Sequence, residues 1–114
     1  MNITKELYIC GSFRFLRKIE ELEEKLRRGD IEYAASKRPD NRGICRCLER
    51  IDDADLVYIV NPSGYVGKSV SVDIDYTYAR GKPIYATHTI DDPPVMNLLA
   101  GALTYEKLIE LLKQ

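Results

Sequence analysis

The sequence predicts an α/β fold: an open, doubly wound parallel sheet of five strands in the order 2-1-3-4-5, held between two layers of helices. Three observations lead there. Leu56-Val57-Tyr58-Ile59-Val60 is an unbroken apolar run rich in β-branched residues, which suits a strand covered on both faces, as strands of a parallel sheet are. Short apolar runs alternate with amphipathic helical repeats along the chain, a pattern that calls for right-handed crossovers. Residues 55–84 read as one complete βαβ unit, with turn-forming Asn61-Pro62-Ser63-Gly64 after the strand and Gly81-Lys82-Pro83 closing the helix.

The elements follow in order. Glu6 to Gly11 is the first strand, and Ser12 is placed to cap a long helix whose inner stripe is Phe15, Leu16, Ile19, Leu22 and Leu26. Arg17, Glu20, Glu21, Glu24 and Arg28 form its solvated face. Gly29-Asp30 ends it, and Ile31 to Ala35 is a short second strand. Ser36 to Gly43, polar and rich in breakers, is a loop at the carboxyl end of the sheet. A second helix over Ile44–Asp52 turns Ile44, Leu48 and Ile51 inward, and Asp53-Ala54 leads into the central strand. After Gly67 a third helix carries Val70, Ile74 and Tyr78 on one stripe, with Asp73 near its first turn. Pro83 to Thr87 is the fourth strand, Asp91-Asp92-Pro93-Pro94 opens a short helix through Val95, Met96 and Leu99, and a brief fifth strand falls at Ala102-Leu103. Thr104 caps the last helix, which buries Tyr105, Leu108, Ile109 and Leu112.

Composition narrows the function. A chain of 114 residues, 45% hydrophobic and 31% charged, is expected to be one domain over residues 1–114. Its net charge of -1, with both signs interleaved, offers no basic face to a nucleic-acid polymer, so small molecules or proteins are the expected partners. No apolar run approaches the roughly 20 residues of a membrane span, and Met1 to Lys5 lacks the order of a signal peptide, so a cytoplasmic location is expected. Three cysteines are an odd number for a disulfide framework, Cys10 reads as a small buried residue at a strand end, and one histidine with Cys45-x-Cys47 is too few ligands for a zinc site. No metal or cofactor is expected. Gly67-Lys68-Ser69 resembles the end of a P-loop, but Pro62 stands where that loop needs its first glycine, which excludes an NTPase. A phospho-receiver is excluded as well, because Cys10-Gly11 and Val60-Asn61 stand where it needs acids. The His88–Asp91 region shows no Ser/Cys/His constellation.

Ligands of such sheets sit outside the carboxyl ends of the strands, at the point where the strand order reverses. Here that point lies between the first and third strands, so Gly11-Ser12-Phe13-Arg14 faces the loop from Asn61 through Gly67 to Ser69. A glycine for close backbone approach, free N–H groups of a helix start and the bidentate donor Arg14 suit a phosphate. The same Gly-Ser pair also reads as ordinary capping. Asp73 shares a stripe with Ser69 and with Tyr76 or Thr77, and a first-turn carboxylate is expected to be held ionised by the helix dipole. Its plainer reading is helix stabilisation. On the third helix Tyr76 and Tyr78 point to different sides, and only one side can face the sheet, from which a homodimer is expected.

Tyr8-Ile9-Cys10-Gly11-Ser12-Phe13-Arg14 resembles the opening loop of the 2′-deoxynucleoside 5′-phosphate N-hydrolases. Ala54-Asp55-Leu56-Val57, with the run from Asp73 to Pro83, is similar to the nucleoside 2-deoxyribosyltransferase pattern, whose acid is followed by Ile-Gly-Tyr-Ala-x-Ala-x-Gly-Lys-Pro. The resemblance covers most of the chain. It implies a flavodoxin-like three-layer domain, usually oligomeric, that cleaves the N-glycosidic bond of a deoxynucleoside or its 5′-monophosphate. It also implies that Asp73 is the nucleophile at C1′, that water or another base resolves the glycosyl-enzyme, and that Ser12 and Arg14 hold the 5′-phosphate. Three positions depart from the pattern: Asp73 replaces a glutamate, Asp75 a glycine, and Cys47 an aspartate of the second helix. A nucleotide-binding module without turnover, and an interaction domain in which Asp73 and Arg14 merely decorate helix starts, are the competing classes.

Overall fold

Apolar runs too short to be helices pair in parallel, and the helices between them cover both faces of the resulting sheet. The computed structural model describes residues 6–35 and 43–113, without the side chains of Phe13 and of residues 43–46. The loop expected at Ser36–Gly43 lies outside the described residues except for Gly43, as does the inward turn of Ile44. The elements are β1 (Leu7–Gly11), a 3-10 turn (Phe13–Phe15), α1 (Leu16–Arg28), β2 (Tyr33–Ala35) and α2 (Gly43–Asp53). After them come β3 (Leu56–Val60), a second 3-10 turn (Pro62–Gly64), α3 (Lys68–Ala79), β4 (Ile84–Ala86), α4 (Pro93–Met96), β5 (Gly101–Ala102) and α5 (Tyr105–Leu112). The sheet order is β2-β1-β3-β4-β5 and every pairing is parallel. The fold class and strand order read from the sequence are those observed.

Period-two alternation sorts the strand residues between two apolar layers. Tyr8, Cys10, Val57, Ile59, Ile84 and Ala86 meet Ile51 of α2 with Val70 and Ile74 of α3. Leu7, Ile9, Leu56, Tyr58 and Val60 meet Ile19, Leu22 and Leu26 of α1 with Leu108 and Leu112 of α5. All five residues of β3 are buried, as a strand covered on both faces requires. Among the described residues no helix is long and apolar enough to cross a membrane.

Four local expectations are corrected. Ser12 does not cap α1: Phe15 N–H closes a tight turn onto the Ser12 carbonyl at 2.9 Å, α1 begins after Phe15, and no side chain caps it. Tyr78 leaves the buried stripe, which is Val70, Asp73, Ile74 and Thr77; Tyr78 is 57% exposed. Steps of four residues drift by roughly 40° each, so the second step carries a side chain off the face. The short helix ends at Met96, before Leu99, and the fifth strand pairs through Gly101–Ala102 rather than Ala102-Leu103. Thr104 is a cap as expected, its hydroxyl accepting from Lys107 N–H at 3.2 Å.

Gly-Lys-Pro, read from the sequence as a helix stop, does more than stop α3. Gly81 takes a left-handed conformation (φ +73°) that ends the helix, and Lys82 turns back toward α2. Its ammonium donates to the carbonyls of Ile51 at 2.7 Å, Asp52 at 2.6 Å and Ala54 at 2.7 Å. They lie at the carboxyl end of α2 and just past it, the pole where a cation is favoured, and the Ile51 carbonyl also accepts from Ala54 N–H at 3.1 Å. Tyr76 donates to Asp52 at 2.7 Å and Arg80 approaches the same carboxylate at 3.1 Å, so α3 and its exit loop are fastened to the end of α2.

Candidate functional site

The floor of the crevice is the paired end of β1 and β3, where Gly11 lies opposite Val60. A β-carbon on Gly11 would stand 2.7 Å from the Val60 carbonyl oxygen, so the close approach that demands glycine there is to the neighbouring strand. Gly11, Ser12 and Arg14 thus open one wall, and Asn61, Gly67 and Ser69 line the segment that leaves β3 toward α3; the Phe13 side chain is outside the described residues.

Asn61 is fully buried and its side chain is spent on the protein. Its Nδ2 donates to the His88 carbonyl at 2.9 Å, and its Oδ1 accepts from Thr87 Oγ1 at 2.9 Å and from His88 N–H at 3.1 Å. Asn61 N–H donates to Thr87 Oγ1 at 3.0 Å. This network pins the ends of β3 and β4 together. It also sets the histidine: the single Thr87 hydroxyl proton goes to Asn61, so the 2.9 Å contact between His88 Nδ1 and Thr87 Oγ1 needs the proton on Nδ1. The turn that follows has positive φ at Ser63 (64°) and Gly64 (78°), and a β-carbon on Gly64 would meet the Thr89 carbonyl oxygen at 2.6 Å. From this braced turn Tyr65 emerges. The Arg14 guanidinium carbon lies 4.3 Å from the centre of its ring, and Phe15 meets it edge to face at 5.9 Å. Gly67 precedes α3, its carbonyl accepts from both N–H and Oγ of Ser71 at 3.0 Å, and Ser69 is exposed.

Asp73 does not lie in the first turn of α3 but is its sixth residue, past the free N–H groups, and it faces the sheet at 5% exposure. The expectation that the dipole holds it ionised is therefore reversed. Burial raises its pKa from an ordinary 3.8 to about 7, and a hydrogen bond from the Cys10 thiol only partly offsets this. Cys10 is in turn pushed up, by its own burial first and then by the charge of Asp73. Tyr8, one strand period earlier on the same face, is raised by burial and further by Cys10, Cys47 and Asp73. Its hydroxyl has no partner of normal hydrogen-bond geometry among the described residues. Asp73 is thus the head of a small enclosed polar cluster in which Cys47 stands near Tyr8. Asp75, two residues on, is exposed and points away.

A carboxyl that titrates near neutrality while held against a thiol can serve as nucleophile or as acid–base group. Among the described residues no three His, Cys, Asp or Glu side chains converge as metal ligands. Sequence reasoning missed two features here: the Tyr65 platform, and the shared face of Tyr8, Cys10 and Asp73. The second was signalled by period-two spacing in β1; the first had only the sign of an aromatic residue among turn-formers.

No protein-family model matches the chain, and no curated protein matches it in sequence. Solved structures do share the fold. A conserved protein from Enterococcus faecalis V583 superposes with a TM-score of 0.70 at 18% identity, over 98% of this chain and 99% of that one. The sugar isomerase domain of an RpiR transcription factor from Sphaerobacter thermophilus gives 0.65 at 14% identity, over 94% of this chain and 66% of that one. The CMP N-glycosidase BcmB from Clostridium botulinum gives 0.61 at 12% identity, over 95% and 98%. At such identities the likeness is one of fold.

Proposed function

We propose that the crevice between β1 and β3 binds a 2′-deoxynucleoside 5′-monophosphate and that Asp73 cleaves its N-glycosidic bond. The observation that carries this is Asp73 itself, a carboxyl shielded by the sheet at the switch point, with a pKa of about 7. Ionised Asp73 attacks C1′, the electrons of the glycosidic bond leave with the base, and the base takes a proton from solvent. Water then hydrolyses the glycosyl-enzyme, or a second base accepts the sugar. The fold shared with an N-glycosidase acting on CMP supports a substrate of this class. A second reading, a nucleotide-binding module without turnover, is favoured by the low exposure of the same carboxyl at 5%.

The phosphate end rests on Arg14, exposed at the mouth of the first loop. Calorimetry with the four 2′-deoxynucleoside 5′-monophosphates against the four nucleosides is expected to show tighter binding of the phosphorylated set. Arg14→Ala removes most of that preference, and equal affinity for both sets in the wild type contradicts the reading. Self-association belongs to the same proposal, because Tyr78 leaves 57% of its surface open on α3 while Tyr76 leans on the core. Light scattering is expected to give a dimer, and a monomer at high micromolar concentration removes that part.

A further inference from the structure

We propose that Tyr65 is a positioning residue, which holds the Arg14 guanidinium over the crevice so that its N–H donors are presented to the phosphate of the ligand. The inference rests on the reading of the crevice as a phosphate-binding site and adds to it the side chain that sets its selectivity.

Arginine alone is a poor guarantee of a site, because a long exposed side chain must lose its rotamer freedom when it binds. Here the freedom is already curtailed. The guanidinium carbon sits 4.3 Å from the Tyr65 ring centre, within the range of a cation–π contact. The guanidinium carries five N–H donors that fan out in three directions, so one ring beneath it leaves donors free for a ligand. Among the described residues no carboxylate or carbonyl accepts from the Arg14 side chain.

The ring can position only if it is itself positioned, and three contacts do that. The backbone beneath it is the turn with positive φ at Ser63 and Gly64, closed by Gly64 N–H on the Asn61 carbonyl at 2.9 Å and braced against Thr89. Phe15 abuts one side at 5.9 Å with an interplanar angle of 74°. The hydroxyl end leans over Gly67, where a β-carbon would stand 3.4 Å from it. Arg14 follows β1 and Tyr65 follows β3, so the contact joins the two walls of the crevice. Its arginine is thereby referred to the turn that leads into α3, the helix that carries Asp73.

The test uses the full chain and a base-free probe, 2-deoxyribose 5-phosphate, titrated beside 2-deoxyribose and followed by NMR. In the free wild-type protein the Arg14 side-chain protons are expected upfield, shifted by the ring of Tyr65. Tyr65→Leu abolishes that shift, weakens 2-deoxyribose 5-phosphate by roughly two- to fivefold, and leaves 2-deoxyribose unchanged. Tyr65→Phe, which keeps the aromatic face, retains the shift and the phosphate preference. Tyr65 is 41% exposed, so the leucine variant is tolerated and its amide spectrum verifies the fold. If wild type discriminates the two sugars and Tyr65→Leu discriminates them equally, the inference fails and the phosphate reading stands. If Tyr65→Phe behaves as Tyr65→Leu, the hydroxyl and not the face is at work, and the inference again fails. If wild type binds both sugars alike, the phosphate reading fails and takes the inference with it.

Discussion

Asp73→Asn is expected to stop base release and, at pH 8, to make the fold more stable than wild type. Both effects come from one carboxyl placed where its charge is costly. Asp73 titrates at about 7 in the fold against an ordinary 3.8, chiefly through burial. Between those two values the folded state holds a proton that the unfolded state has lost, so stability falls as pH rises through the window and is lowest above it. At about 1.4 kcal/mol per pH unit, the ionised carboxylate costs on the order of 4 kcal/mol at pH 8. Asparagine keeps the size and an acceptor for the Cys10 thiol but carries no charge. Urea denaturation should therefore show Asp73→Asn more stable at pH 8 by about 2–4 kcal/mol, after the loss of fit of the amide, and close to wild type at pH 4. A difference between the two proteins that does not vary with pH would contradict the burial of the charge. The same titration predicts that kcat/KM rises with pH through about 7, because only the ionised form attacks.

Lys82→Met is expected to be the most damaging single change to the scaffold, at roughly 2–4 kcal/mol. One ammonium satisfies three carbonyls, those of Ile51, Asp52 and Ala54, within 2.6–2.7 Å. Methionine fills the space of the stem but removes the ammonium from all three, leaving the Ile51 carbonyl with only the Ala54 N–H at 3.1 Å, at the end of α2 and at the entry to the central strand. Lys82→Arg recovers only part of the loss, since a planar fork cannot converge on three oxygens as a tetrahedral ammonium does. The urea midpoint reads both variants; a midpoint for Lys82→Met equal to wild type would show that solvent caps α2 as well as lysine does.

The sheet was legible because its centre is unambiguous. Leu56–Val60 is buried along its whole length, and such a run admits few alternatives to a central parallel strand. The ends of elements were harder. Ser12 carries the same signal whether its hydroxyl caps a helix or its carbonyl closes a 3-10 turn. The start of α3 after Gly67 is as the sequence predicts, but Asp73 is its sixth residue and so lies beyond the first turn and its free N–H groups, and only the three-dimensional path shows the carboxyl turned onto the sheet. Lys82 was visible as punctuation, but its three acceptors lie 28 to 31 residues back along the chain. The Arg14–Tyr65 contact is a product of topology: two loops far apart in sequence meet because β1 and β3 are neighbours.

Glycosidic cleavage by Asp73 is tested most directly by the rate of free-base release from a mixture of 2′-deoxynucleoside 5′-monophosphates, measured by chromatography for wild type, Asp73→Asn and Asp73→Glu. Wild type should release base, Asp73→Asn should still bind nucleotide but release none, and Asp73→Glu should be faster because the added methylene carries the carboxylate toward C1′. A wild-type rate retained in Asp73→Asn, or nucleotide bound with no base released by any of the three, would contradict the account and leave a binding module in its place.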